Sequence, residues 1–123
     1  MENDKAKFKE DFIKRLIKFS TLIIHLGDKL RDYKLSWSII DQLIRSSTSV
    51  GANIVEAKSS SSRKDYTHFF EIALKSANET EYWLILVQEA VPALKEEIRA
   101  ALQELREISK IIASSILTLK GKK

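Results

Sequence analysis

Cysteine is absent from this chain, and with it disulfides, thiolate metal sites and thiol nucleophiles. Glycine occurs three times and proline once in 123 residues. So few turn-forming residues leave room for only a few long elements and exclude most all-β folds. No apolar run approaches the roughly 18 residues of a membrane-spanning helix. The opening MENDKAKFKEDF alternates acids and bases where a secretory signal would carry an apolar stretch. There is no glycine-rich phosphate loop: Gly51 stands alone inside a helical pattern. Together these absences predict a cytoplasmic protein with no membrane partner and no cofactor. The length predicts a single domain over 1–123, with about two-thirds of the unfolded surface available for burial.

What is present is helical periodicity. Phe8, Phe12, Leu16, Phe19, Ile23, Leu26 and Leu30 recur at three- and four-residue steps, predicting a first helix over about 4–33 with Asn3 as its cap. Ile40, Leu43, Ser47, Val50 and Ile54 mark a second, about 36–58. Tyr66, Phe69, Phe70, Ala73, Ala77, Thr80, Leu84 and Val87 mark a third, about 63–90, with Ser62 as cap and Asp65 at the capping-box position. Leu94, Ile98, Ala101, Leu105, Ile108, Ile112, Ser115 and Leu119 mark a fourth, about 92–119, opened by Pro92 and closed by Gly121. Short connections force neighbouring helices to run antiparallel. The fold class is therefore all-α, an up-down-up-down four-helix bundle.

Polar residues interrupt or flank two of these stripes: Arg45, Ser49, Asn53 and Glu56 on the second helix, Glu71, Lys75, Glu79 and Glu81 on the third. A buried charge has to be paired, and pairing the two helices about the Ser59–Ser62 loop sets Arg45 opposite Ser76–Glu79. This predicts a structural polar network of Arg45, Asn53, Glu56, Lys75 and Glu79, with Glu71–Lys75 and Lys75–Glu79 as helix pairs. The first helix also carries a second apolar stripe at Ile13, Ile17 and Ile24, and the third carries Ile72, Trp83 and Leu86. Contiguous apolar surface of this kind marks an interface, here with further copies of the same chain; the alternative is a wide core-facing stripe.

Candidates for chemistry are few. His25 and His68 are the only histidines. Asp65, His68 and Glu71 share three-residue spacing, but no Glu-x-x-His motif of di-iron bundles accompanies them, so no metal site is predicted. Ser46, Ser47 and Ser49 lie within a helix, away from the strained turn a serine nucleophile needs. Their size fits close packing, with Gly51 admitting a neighbouring backbone. Bases outnumber acids in Met1–Leu35 and in Ala93–Lys123, whereas 63–92 is net acidic; the whole chain carries a formal charge of +4. Lys7, Lys14 and Lys18 fall near one helical face, and Lys110, Lys120, Lys122 and Lys123 collect toward the other terminus. This array either tracks a phosphate backbone or is a solvated face.

The segment QLIRSSTSVGANIVEA, a short loop, and FFEIALKSANETEYWL resemble the bacterial four-helix-bundle family of 23S rRNA intervening-sequence proteins. The resemblance is carried by Gln42, Leu43, Arg45, Asn53, Ile54, Glu56 and Ala57, then by Ala73, Leu74, Lys75, Ala77, Glu79, Thr80, Tyr82, Trp83 and Leu84. FIKRLIKF is similar to the family's first helix. The resemblance implies ring-shaped homopentamers without enzymatic activity. A related fold, the accessory variability determinant of diversity-generating retroelements, implies binding of RNA and of a nucleic-acid-handling protein through a basic surface. The expected function is a non-enzymatic oligomeric bundle that binds structured RNA or other nucleic acid through Lys7, Lys14, Lys18, Lys110 and Lys120. The alternative is a protein-interaction scaffold with no nucleic-acid contact.

Overall fold

The computed structural model describes residues 2–121. Four helices follow one another: α1 Glu2–Asp32, α2 Trp37–Glu56, α3 Arg63–Ala90 and α4 Lys95–Leu119. Single 3₁₀ turns at Ala57–Ser59 and Pro92–Leu94 extend α2 and lead into α4. Every cross-helix pairing is antiparallel. Leu16 meets Gly51, and Gly27 meets Ile44. Ser46 meets Thr80, and Ser49 meets Ser76. Glu81 meets Arg106, and Glu71 meets Lys120. Arg15 meets Glu104, and Lys29 meets Glu97. Rising numbers on one helix meet falling numbers on the next, and the first and last helices lie side by side. This is the up-down-up-down bundle.

Local chemistry explains several helix ends. Ser62 sits in extended conformation before α3, and its hydroxyl accepts the Asp65 amide at 3.0 Å. That bond satisfies one of the helix's orphan donors. Pro92 occupies the first position of the turn leading into α4, where its missing N–H costs nothing. Asn3 does not cap α1, because the helix already includes Glu2 and so places Asn3 within its first turn.

The α1–α2 turn uses an unexpected residue. Leu35 N–H donates to the Leu30 carbonyl (3.3 Å) and Lys34 N–H to that of Arg31 (2.8 Å). This is a Schellman motif, and Lys34 takes its left-handed position at φ 61°. Glycine normally fills that position, because a Cβ there crowds the backbone. Leu35 packs against the core into which Leu30 is buried, so an apolar contact closes the motif.

The core runs the length of the bundle. Leu16, Phe19, Ile23 and Leu30 of α1 meet Ile40, Leu43 and Val50 of α2, Leu84 and Val87 of α3, and Ile98, Leu105, Ile108 and Ile112 of α4. Burying side chains of this kind stabilises by about 1.5–3 kcal/mol each. Phe8, the first member of the α1 stripe, is instead 58 % exposed. Leu102 and Ile116 are buried on α4 although they lie outside the simple periodic stripe. Gly27 is the glycine that matters for close packing, since a Cβ there would stand 3.1 Å from Ile44 Cδ1. At Gly51 the nearest atom to such a Cβ is Leu16 Cβ at 3.4 Å, an ordinary contact, so no neighbouring backbone needs this glycine.

Candidate interaction surfaces

Between α2 and α3 the polar residues form a ladder of hydroxyls. Ser46, Ser47 and Thr80 are buried. Thr80 Oγ1 lies 3.0 Å from Ser46 Oγ and 2.8 Å from the Ser76 carbonyl. One turn along, Ser49 Oγ and Ser76 Oγ are 3.0 Å apart, and Asn53 Nδ2 donates to both Ser49 Oγ (3.0 Å) and the Ser49 carbonyl (2.8 Å). Among the described residues no buried side-chain nitrogen or oxygen lacks a partner.

The predicted charged network does not form. Arg45, Glu56, Lys75 and Glu79 are exposed, and no ion pair joins them among the described residues. The reason lies in helix phase: the inward positions are taken by Ser46, Ser47 and Val50 on α2 and by Ala73, Ala77 and Thr80 on α3, which leaves the long side chains on the flanks, facing water. Glu79 accepts instead from Trp83 Nε1 at 2.9 Å. Two further α3 acids reach toward the last helix, Glu81 to Arg106 (3.6 Å) and Glu71 to Lys120 at its C-terminal end (2.6 Å). Asn53 alone of the predicted set joins the seam.

The basic face of α1 and α4 is interleaved with acid. Lys7, Lys14, Lys18 and Lys110 are all exposed, but Lys14 pairs with Glu10 at 3.2 Å and Lys120 with Glu71. The strongest charged contact is one that the sequence reading did not single out. Arg15 Nε and Nη2 donate to the two carboxylate oxygens of Glu104 at 2.7 and 2.8 Å, and Nη2 also reaches Glu107 at 3.4 Å. The hydrogen bond from Arg15, aided by its charge and by that of Lys18, holds the Glu104 carboxyl below its ordinary value against the opposing effect of burial. The Lys120 hydrogen bond does the same for Glu71. Only the α1–α4 register, 15 against 104, reveals the pair. Lys122 and Lys123 lie outside the described residues.

On the outer side of α1 and α2 the apolar stripe is real. Ile17 is 60 % exposed, Ile24 45 % and Val55 44 %, while Ile13 is half-buried against the core. Ile13, Ile17, Thr48, Gly51, Ala52 and Val55 bound a shallow groove of about 440 Å³. The α3 stripe behaves differently: Trp83 packs partly against the core and Ile72 and Leu86 are half-buried, whereas Tyr82 (60 %) and Ile85 are the exposed pair there.

His25 and His68 are exposed on different helices. Among the described residues, no three His, Asp or Glu side chains gather as a metal site. No helix is long and apolar enough to cross a membrane among those residues.

The family model of the 23S rRNA-intervening sequence proteins matches residues 9–114, from α1 through most of α4. A solved structure from Bacteroides thetaiotaomicron, a protein of unknown function from the S23 ribosomal protein family, is 35 % identical with a TM-score of 0.80. The match covers 85 % of this chain and 97 % of that one. No curated protein matches. The chain belongs to the 23S rRNA-intervening sequence protein family.

Proposed function

We propose that this member of the 23S rRNA-intervening sequence protein family is a non-enzymatic, self-associating scaffold, a ring of identical bundles with five copies as the expected stoichiometry. The observation that carries this reading is the outward apolar strip of Ile17, Ile24 and Val55 beside the α1–α2 groove. Such surface gains about 25 cal/mol per Å² on leaving water. Two of the groove's three hydroxyls are already bonded within their own helices, the third being that of Ser20. Thr21 donates to the Ile17 carbonyl at 2.9 Å and Thr48 to that of Ile44 at 2.8 Å, so covering these two carries little penalty, while Glu56 at the groove's edge can stay in water. Tyr82 and Ile85 offer a second exposed apolar patch on another helix. A contact between two unlike patches is head-to-tail and closes into a ring when the rotation allows. The resemblance in sequence supports the pentamer.

Light scattering tests the proposal. The wild-type protein should run well above the 14.1 kDa of one chain, and the double variant Ile17→Asp, Ile24→Asp should fall to that mass with helicity unchanged. A wild-type monomer at high concentration refutes self-association; a dimer or tetramer refutes the stoichiometry.

A second reading, binding of structured RNA, is favoured by Lys7, Lys18 and Lys110, which are exposed and carry no ion pair among the described residues. A ring would repeat this modest ridge and gain avidity. Affinity should then fall by about 0.7–0.9 log units per phosphate contact for each tenfold rise in salt. Replacing Lys7, Lys14 and Lys18 by Glu should abolish it while leaving the ring intact. Absence of any shift of structured RNA at low salt leaves the protein scaffold alone.

A further inference from the structure

We propose that the end of the bundle bounded by the start of α1 and the α2–α3 loop binds an amphiphilic carboxylate, an apolar chain with a single anionic head. The site follows from a mismatch in helix length. Leu16 of α1 stands against Gly51 of α2, and α2 ends at Glu56. Even with the 3₁₀ turn to Ser59, the antiparallel register uses up this element near residue 8 of α1, and the first turns of α1 project past it. There Phe8 and the half-buried Tyr66, with the buried Phe12 and Phe70 beside them, line a groove of about 520 Å³. Small-molecule sites span about 300–1,000 Å³.

The lining selects the ligand's body. One wall is the stacked pair Phe8 and Phe12 of α1, with ring centroids 6.5 Å apart. The facing wall is the pair Tyr66 and Phe70 of α3, 5.0 Å apart. Two of the hydroxyls on the α4 side are committed within their own helix: Ser115 donates to the Ile111 carbonyl at 2.9 Å and Thr118 to that of Ser114 at 3.1 Å. With those hydroxyls occupied, an apolar body fits and a polar one would lose its hydrogen bonds to water.

The rim selects the head. Lys5 and Lys9 of α1 and Lys58 of the turn after α2 border the groove, against one acid, Asp4. Among the described residues none of the three ammonium groups has a carboxylate within ion-pair distance. Lys9 Nζ rests 5.3 Å above the Tyr66 ring, a contact it can keep while facing an anion. Three separate point charges attract a single anionic head, a carboxylate among them, without imposing the planar bidentate geometry of an arginine fork.

Dodecanoate is the probe, titrated below its micelle concentration into isotope-labelled protein, with dodecyltrimethylammonium as the chain-matched cation. Amide shifts should saturate and stay confined to the groove, at Phe8, Phe12, Tyr66 and Phe70. Dodecanoate should bind at least about tenfold more tightly than the cation, the equivalent of about 1.4 kcal/mol. The triple variant Lys5→Glu, Lys9→Glu, Lys58→Glu should reverse that preference. Phe8→Asp, at a position already exposed and therefore compatible with folding, should abolish binding of both. Equal affinity for the two amphiphiles, shifts spread through the core, or no saturable shift would each overturn the proposal. If Phe8→Asp changes the oligomer mass while dodecanoate fails to bind, the groove is a contact between copies and the proposal falls.

Discussion

Replacing Thr80 by valine tests whether the α2–α3 seam is a hydrogen-bonded unit or merely a place where small residues fit. Thr80 is fully buried, and Oγ1 reaches the Ser76 carbonyl at 2.8 Å and Ser46 Oγ at 3.0 Å. A hydroxyl has one proton. If Thr80 gives its proton to the Ser76 carbonyl, Ser46 must donate to Thr80 or to the Leu43 carbonyl, 3.3 Å away, which is long for a hydroxyl bond. Valine keeps the β-branched shape but leaves Ser46 facing a methyl group. Losing one buried hydrogen bond and partly stranding a second group should cost about 1.5–2 kcal/mol. Ser46→Ala leaves Thr80 its carbonyl partner and should cost about 0.5–1 kcal/mol. The double variant sets methyl against methyl with no stranded oxygen, so it should be less harmful than the sum by about 1 kcal/mol. Urea unfolding at fixed protein concentration measures all four corners of this cycle, with the slope unchanged if two-state behaviour holds. Costs that add to within about 0.3 kcal/mol would show that the two hydroxyls act independently and that the seam is held by packing alone.

Lys34→Gly should stabilise the protein by about 1 kcal/mol, read as a rise in midpoint, because glycine removes the Cβ penalty at φ 61°; no gain would mean that the left-handed turn is not what limits this connection. Gly51→Ala should stabilise by about 0.5–1 kcal/mol in the same assay, since its Cβ meets only Leu16 at an ordinary distance and alanine favours the helix. Gly27→Ala should gain less or lose, because its Cβ would crowd Ile44 Cδ1 at 3.1 Å. The Arg15–Glu104 pair, about one-third exposed, should contribute about 0.5–1 kcal/mol. Because the Glu104 carboxyl is held below its ordinary 4.5 in the folded protein, this contribution is complete above that value and is lost as pH falls through the lowered folded one. Glu104→Gln should therefore flatten the acid limb of the stability curve and leave neutral-to-alkaline behaviour parallel to wild type.

The helices were legible because each carries an apolar repeat of three and four residues and because the few punctuating residues sit at their ends. Ser62, Pro92 and Gly121 each did what their chemistry dictates. Asn3 did not, since cap chemistry competes with a helix that starts earlier. Lys34 was invisible, since only the surrounding hydrogen bonds force a lysine into a conformation suited to glycine. The α2–α3 register was readable to within a turn, but the identity of the seam was not. Charged residues near a stripe suggested buried pairs, whereas the small hydroxyl residues beside them take the inward positions and the charges face water. Arg15 and Glu104 each look like ordinary surface residues in their own helices; their meeting depends on the relative stagger of the first and last elements, which no local pattern encodes.

That meeting has a kinetic consequence. Arg15 and Glu104 are 89 residues apart in sequence, whereas the hydroxyl pairs between α2 and α3 span 27 and 34. The entropy of closing a loop grows with its length, so the hairpins zip before the ends of the chain are joined. Contacts made after the folding barrier act on the rate of opening and hardly on the rate of assembly. The guanidinium clasp between α1 and α4 therefore acts on how long a finished bundle stays shut rather than on how fast it forms, by the few-fold in rate that about 0.5–1 kcal/mol allows.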